Sequence, residues 1–290
     1  MEVSHEQFVR LVFKEPHQVL IVAGSGSGKS TTGETLIEEQ YDRGSFVISP
    51  FDPKEELELA FAMFEPEKAY HLKELERIGK VKSKKKVRIH HPFTFNLPRY
   101  EKLYPMELYT FAMNEVGRDE ISFITESQSD LDIVRSMVNA VNELKKDDSV
   151  FDFMRIIERR TKAIKKMVAG KEIAVPDPSN FFLKTGSTGT AKTIGDIASY
   201  FQPFLIDYCI APENFFLNLD IREILKDRES YHIFSTRFIK DEKIKYFVAL
   251  RLLNLIYENR KYCNHPMVIH FPEISSLLPF REKGHKEFLA

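Results

Sequence analysis

The stretch Gln18-Val19-Leu20-Ile21-Val22-Ala23-Gly24-Ser25-Gly26-Ser27-Gly28-Lys29-Ser30 decides how the rest of the chain is read. Its first five residues form a short, β-branched and mostly apolar run, the pattern of a strand buried on both faces of a parallel sheet. Three glycines at alternate positions follow at once, and Thr31 to Tyr41 has helical character and is closed by Gly44. Strand, glycine-rich turn and helix start therefore adjoin with no spacer. Backbone N–H groups can converge in such a turn, and the glycines let a ligand approach the main chain closely. The helix N-terminus behind it favours negative charge.

That arrangement is the phosphate-loop motif, with Ala23 where the first glycine commonly stands. Gly24, Ser25, Gly26, Ser27, Gly28, Lys29, Ser30 and Thr31 form the expected nucleotide-binding set. Lys29 reaches the β- and γ-phosphates, and the Ser30 hydroxyl ligates Mg²⁺. The motif alone specifies ATP or GTP binding and leaves the activity open. A second glycine-containing stretch, Lys184 to Lys192, lacks the Gly-Lys pair and a preceding strand, and reads as a turn before a helix.

Outward from the loop, the chain alternates between two textures. A helix is expected at Glu6 to Phe13, strands at Ser45 to Ser49 and Val87 to His90, and helical segments at Pro53 to Phe64 and Pro66 to Ile78. From about Pro105 the periodicity becomes helical: Val134, Met137, Val138, Val141 and Leu144 share one face, and Phe153, Ile156, Ile157, Ile164 and Met167 another. A further helix is expected over Ala191 to Cys209, interrupted by Pro203. Strand and helix signals resume with a strand at Tyr231 to Ser235, a long helix at Glu242 to Arg260 and a strand at Met267 to Phe271. The expectation is an α/β fold, a P-loop NTPase (RecA-like) core with a parallel sheet and a largely helical insertion. Its parts are 1–100 (N-terminal part of the core), 101–215 (helical insertion) and 216–290 (C-terminal part of the core, truncated after Ala290).

Composition narrows the function. With 290 residues, 43% hydrophobic and 29% charged, the chain is neither disordered nor fibrous. Its 42 Lys+Arg balance 43 Asp+Glu, so bulk charge does not coat nucleic acid and any such contact is local. Cys209 and Cys263 have no metal-binding spacing and read as core thiols. The N-terminus carries acidic residues where an export signal is basic, and the longest apolar stretch, Tyr246 to Tyr257, is broken by Arg251. A cytoplasmic chain without a membrane span is expected. Lys80, Lys82, Lys84, Lys85, Lys86 and Arg88 form a basic run with two readings, a solvated loop or a contact on the phosphate backbone of DNA. His90 and His91 read as strand-end residues with no partner at metal-ligand spacing.

Two further stretches carry a family resemblance. Phe51-Asp52-Pro53-Lys54-Glu55-Glu56-Leu57 resembles the Asp-Pro-Lys-Gly-Glu segment of conjugative coupling proteins and of the HerA and FtsK superfamily of DNA-pumping ATPases, with Glu55 in place of the glycine. The order from Asn218 through the strand at Tyr231 to Pro266-Met267-Val268-Ile269-His270-Phe271-Pro272-Glu273-Ile274-Ser275-Ser276-Leu277-Leu278-Pro279 is similar to HerA, where the last strand ends in an acidic pair followed by Leu-Pro. Here Glu273 and Leu278-Pro279 match, and Pro272 replaces the first acid. About half of the chain carries the likeness.

The resemblance implies an ATPase that moves double-stranded DNA, or a DNA–protein complex, as a homo-oligomer of the hexameric kind. Glu273 and Lys29 would be its catalytic residues, and ATP and Mg²⁺ its substrate and metal. Glu273 would orient the attacking water; read without the family, it is a glutamate at a helix N-terminus. With Pro272 unable to hold a metal, Ser30 and Asp52 would anchor Mg²⁺. The family's sensor strand and arginine finger are not identifiable before Ala290, and Arg281 is not assignable as the finger. Two alternatives stay open: an ATPase for protein secretion or packaging, and a nucleotide-binding regulator with little turnover. Cargo, process and ring size are not readable from the sequence.

Overall fold

The structure, a computed structural model, describes residues 29–52, 72–73, 76–77, 86–93, 106–125, 131–161, 164–168, 170–175, 210–213 and 215–272. In chain order its elements are α1 (Lys29–Asp42), β1 (Phe46–Asp52), β2 (Lys86–Pro92), β3 (Met106–Tyr109), β4 (Phe111–Ala112), a 3₁₀ turn (Met113–Glu115), α2 (Arg118–Thr125), α3 (Leu131–Asn142) and α4 (Val150–Thr161). They continue with β5 (Ile164–Val168), β6 (Lys171–Val175), β7 (Ile210–Ala211), α5 (Ile221–Lys226), β8 (Ser230–Ser235), α6 (Glu242–Asn259), a 3₁₀ turn (Arg260–Tyr262) and β9 (Met267–Ile269). The expected elements at 6–13, 18–22 and 191–209 lie outside the described residues. So do those at 53–64 and 66–78, apart from helical backbone at 72–73 and 76–77.

The fold is of α/β character. Its main sheet has the strand order β3-β2-β8-β1-β9, and the pairings β2·β8, β8·β1 and β1·β9 are all parallel. Every residue of β1 and of β8 is buried, as parallel strands covered on both faces require. Alternation of polar and apolar residues is accordingly absent from Phe46-Val47-Ile48-Ser49.

Two compact units divide the chain. One takes in the described residues up to His90, Ile221–Arg237 and those from Leu255 onward; the other takes in those within His91–Asp220 and Phe238–Asn254. In the first unit, α1 ends in a Schellman motif. The N–H of Ser45 donates to the Gln40 carbonyl (3.0 Å) and that of Gly44 to the Tyr41 carbonyl (2.9 Å). Gly44 sits at φ +83°, which glycine adopts without strain. The turn folds β1 back against α1, and Phe46, Ile48, Phe234 and Tyr231 fill the core.

In the second unit, α2 packs on α3 and α3 on α4, around Met113, Ile121, Phe153, Phe247 and Leu252. Met137 and Val141 face this core from α3, the face their spacing predicts. The edge of the Phe111 ring meets the Phe247 ring at 84°, with centroids 6.0 Å apart. A second small sheet pairs β4 with β7 in parallel.

Two expectations are corrected here. Ile164 and Met167 do not continue the helical face of Phe153, Ile156 and Ile157. Helix α4 stops at Thr161, and Ile164–Val168 pairs antiparallel with Lys171–Val175. The turn between them has two residues, and Gly170 at φ +79° supplies the conformation that such a hairpin needs. An i, i+3 spacing of two apolar residues is compatible with both structures. Cys263 is not a core thiol either. It is half-buried after the 3₁₀ turn that ends α6, with its Sγ 3.5 Å from the His265 carbonyl. Cys209 lies outside the described residues.

Candidate functional site

Parallel strands bring their carboxyl ends to one edge, and open α/β sheets bind ligands there. Lys29 reaches this edge through helix geometry. Helix α1, at about 1.5 Å per residue, and strand β1, at about 3.3 Å per residue, both span roughly 20 Å. They meet at the tight turn around Gly44 and pack on each other, so they run in opposite directions. The start of α1, where half-buried Lys29 is the first residue and Ser30 and Thr31 follow, thus returns towards the end of β1, where Asp52 stands.

Asp52 is 2% exposed and lies opposite Ser235 at the last pairing of β1 with β8. The register shifts between Ser49 and Asp52, an irregularity that re-aims the strand end. The next residue after β8, Thr236, fixes this corner. Its N–H (3.0 Å) and its hydroxyl (3.3 Å) both donate to the Asp52 main-chain carbonyl, and neither bond engages the carboxylate. Arg237 follows, half-buried, with its N–H donating to Ser235 Oγ at 3.3 Å. On the other side of β1, β9 ends opposite Ile48, and the His270 N–H donates to the Ile48 carbonyl at 2.9 Å. The chain leaves the sheet four residues short of the level of Asp52, and half-buried Pro272 lies in the turn beyond. Helix geometry thus directs the start of α1, with Lys29, towards the edge at which Asp52 stands. Gly24, Ser25, Gly26, Ser27, Gly28 and Glu273 lie outside the described residues, and the Ser30 and Thr31 side chains are not described.

Sequence reasoning missed the Ser235-Thr236-Arg237 corner. A signal for it exists, because polar residues that directly follow an apolar parallel strand stand at the ligand-binding edge. Among the described residues no group of three or more His, Cys, Asp or Glu could hold a metal ion. The buried carboxylate of Asp52 at this edge is an oxygen donor of the kind that suits Mg²⁺, which takes one or two carboxylates together with substrate phosphates in preference to a closed protein cage, and in that respect the residue fits the ion.

The histidines of β2 belong to a different arrangement. His90 Nε2 lies 3.0 Å from His232 Nδ1, the two rings stack, and His90 also stacks on Phe234. His232 Nε2 in turn lies 3.1 Å from the Asp227 carbonyl. Burial holds the His90 imidazole down to about 3, with help from its neighbours His232 and Arg88. Burial likewise holds His91 down to about 4, although its hydrogen bond to the Pro92 carbonyl opposes the shift. Both are neutral at pH 7 and serve the core. Asp227 is depressed from its ordinary value. Burial pushes it up, and hydrogen bonds from Ser230 Oγ (2.9 Å) and Arg88 (3.1 Å) outweigh that push.

Arg88, at the end of the basic run, is thus drawn into an ion pair, while Lys86 is exposed, 4.0 Å from Glu229. Lys80, Lys82, Lys84 and Lys85 lie outside the described residues. No helix among the described residues is long and apolar enough to cross a membrane. Compared with known protein families, and with curated proteins, the sequence finds no match.

Proposed function

We propose that the chain binds and hydrolyses ATP as a P-loop motor of the HerA and FtsK type, working as a homo-oligomer on double-stranded DNA or a DNA–protein complex. The observation that supports the reading is helix α1, whose first described residue, Lys29, follows the glycine-rich sequence, and which runs back along β1 towards the carboxyl edge of a parallel sheet.

In this reading the backbone of Gly24–Gly28 and the start of α1 hold the β- and γ-phosphates, and Lys29 neutralises their charge. Ser30 and Asp52 would hold Mg²⁺, which would supply neutralisation of charge on the phosphoryl oxygens. Burial of Asp52, and the Thr236 bonds that tie its main chain, hold that carboxylate in one place. Glu273, four residues after β9, orients the attacking water and accepts its proton. Pro272 in place of an acid favours, as a second reading, a regulator that binds ATP and turns it over slowly.

The deciding experiment is a titration of fluorescent ATP onto the purified chain, joined to ATPase assays with and without duplex DNA. Lys29→Ala should weaken binding by about tenfold or more, as removal of a charge-assisted phosphate bond requires, and leave the far-ultraviolet circular dichroism unchanged. Unchanged affinity would remove the phosphate-loop assignment. Glu273→Gln should abolish turnover with ATP–Mg²⁺ affinity retained. Loss of affinity in step with activity would make Glu273 a metal anchor, and DNA-independent, negligible turnover by the parent chain would select the regulator.

A further inference from the structure

The geometry points to the β5–β6 hairpin, with the basic end of α4 that leads into it, as a contact surface for B-form duplex DNA. This inference rests on the duplex-DNA part of the function proposed above and names the surface that makes the contact; it does not depend on ATP binding.

The chain as a whole is balanced, with 42 basic and 43 acidic residues, yet this segment is not. Among its described residues from Arg155 to Glu172, six are basic (Arg155, Arg159, Arg160, Lys165, Lys166 and Lys171) and two acidic (Glu158 and Glu172). Positive charge is thus concentrated on a short, local element, the only kind of nucleic-acid contact that the overall balance allows. The two arginines with acidic neighbours remain open to solvent. Arg155 pairs with Asp152 at 2.9 Å and Arg159 lies 3.7 Å from Glu143, with side chains 77% and 74% exposed. Surface pairs of this kind contribute about 1 kcal/mol at most, so a phosphate oxygen can displace the carboxylate.

The shape adds what the charge does not. Strands β5 and β6 form a two-stranded antiparallel sheet of their own, closed by the two-residue turn at Gly170. Gly170 and Lys171 are exposed at the turn, and Met167 is 70% exposed on the strand before it. A lone two-stranded ribbon is marginal in water, and an uncovered methionine adds nothing to its stability. Both features suit an element whose second surface arrives with a ligand. The major groove of B-form DNA, about 12 Å wide, admits a two-stranded ribbon, whereas the deep, narrow major groove of A-form RNA does not. The positive charge of the ribbon then faces the phosphates of the groove walls, and Met167 meets base edges or thymine methyl groups.

The test is fluorescence anisotropy of the full chain, without nucleotide, on a labelled DNA duplex about two helical turns long, across a salt series. The variant combines Lys165→Gln, Lys166→Gln and Lys171→Gln, which keep length and polarity. A second variant replaces the same lysines by arginine. The glutamine variant should bind at least about tenfold more weakly at low salt, and its log–log salt slope should be shallower by up to about 2.7, roughly 0.9 for each phosphate left unneutralised. The arginine variant should bind like the parent chain. An unchanged slope and affinity in the glutamine variant would overturn the inference, as would no binding of the parent chain to the duplex. An RNA duplex bound as tightly as DNA would overturn the groove geometry. Binding of the parent chain to phosphatidylserine vesicles alone, abolished in the glutamine variant, would assign the hairpin to a lipid surface instead.

Discussion

In the unit built on β1, β2, β8 and β9, a neutral imidazole is buried at the heart of the sheet: His90 stacks on His232 and shares a hydrogen bond with it, and the chain of contacts ends on the Asp227 carbonyl. In the other unit a buried arginine lies among carboxylates. Arg251, 5% exposed on α6, lies 3.1 Å from Glu115 and 3.4 Å from Glu120. Glu120, itself 2% exposed, also accepts from Asn254 (3.0 Å) and from the Gly117 N–H (3.1 Å). The two solutions respond to different insults. A buried neutral imidazole tolerates loss of one hydrogen bond but is vulnerable to protons. A buried ion pair is sensitive to loss of one partner, because an uncompensated charge then stays behind.

The largest effect should follow from breaking the charged cluster. Arg251→Ala leaves Glu120 buried without its cation and should destabilise the chain by about 3–5 kcal/mol. Arg251→Met combined with Glu120→Leu should recover most of that loss. Urea denaturation reads both, and a double variant as unstable as the single one would show that the cluster acts by more than charge.

Acid acts on the buried imidazoles. Because burial lowers the folded-state value of His90 to about 3, the unfolded chain binds the extra proton below its ordinary value near 6.5. The stability this histidine supplies is complete above pH 6.5 and is lost as pH falls towards 3, by up to about 1.4 kcal/mol per pH unit. His90→Phe keeps the stacks on His232 and Phe234. It should cost about 1 kcal/mol at pH 7 through the missing hydrogen bond, and flatten the dependence of stability on pH below 6.5. An unaltered dependence would transfer the acid sensitivity to His91 or His270, whose imidazoles burial likewise holds down to about 4.

The smallest effect is conformational. A Cβ on Gly44 or on Gly170 meets nothing within 4 Å, so alanine at either place costs only its positive φ, about 1 kcal/mol. Global unfolding should register the full cost for Gly44→Ala. A smaller global cost for Gly170→Ala, together with faster amide exchange confined to the hairpin, would show that β5–β6 opens by itself.

How much of this is legible in the sequence depends on the range of the interaction concerned. β1, β2, β8, α1 and α6 can be read because each carries its signal locally: Phe46-Val47-Ile48 and Tyr231 to Ser235 are apolar runs, and Gly44 closes α1. The strands Phe111–Ala112 and Ile210–Ala211 have two residues each, too few for any period to show. The partner of His90 lies 142 residues away in sequence, and that of Arg251 131 residues away. Neither pairing leaves a local trace, which is why His90 reads as a strand-end residue and Arg251 as a mere break in an apolar stretch. At the candidate site, motif and resemblance suffice to name Lys29, Ser30 and Asp52. Thr236, which ties the Asp52 main chain, follows a strand whose place beside β1 is set only by the assembled sheet.

The strand order has a consequence for synthesis. β8 stands between β1 and β2, yet it leaves the ribosome long after both, with His232 trailing His90 by 142 residues. At ordinary translation rates that interval lasts on the order of ten seconds, during which neither earlier strand can pair with its eventual central neighbour. Open edges of such apolar strands are templates for pairing with other chains. Yield of the folded protein should therefore depend on what shields Phe46–Asp52 in the nascent chain, and slowing elongation between residues 93 and 229 should raise the aggregated fraction more than slowing it anywhere else.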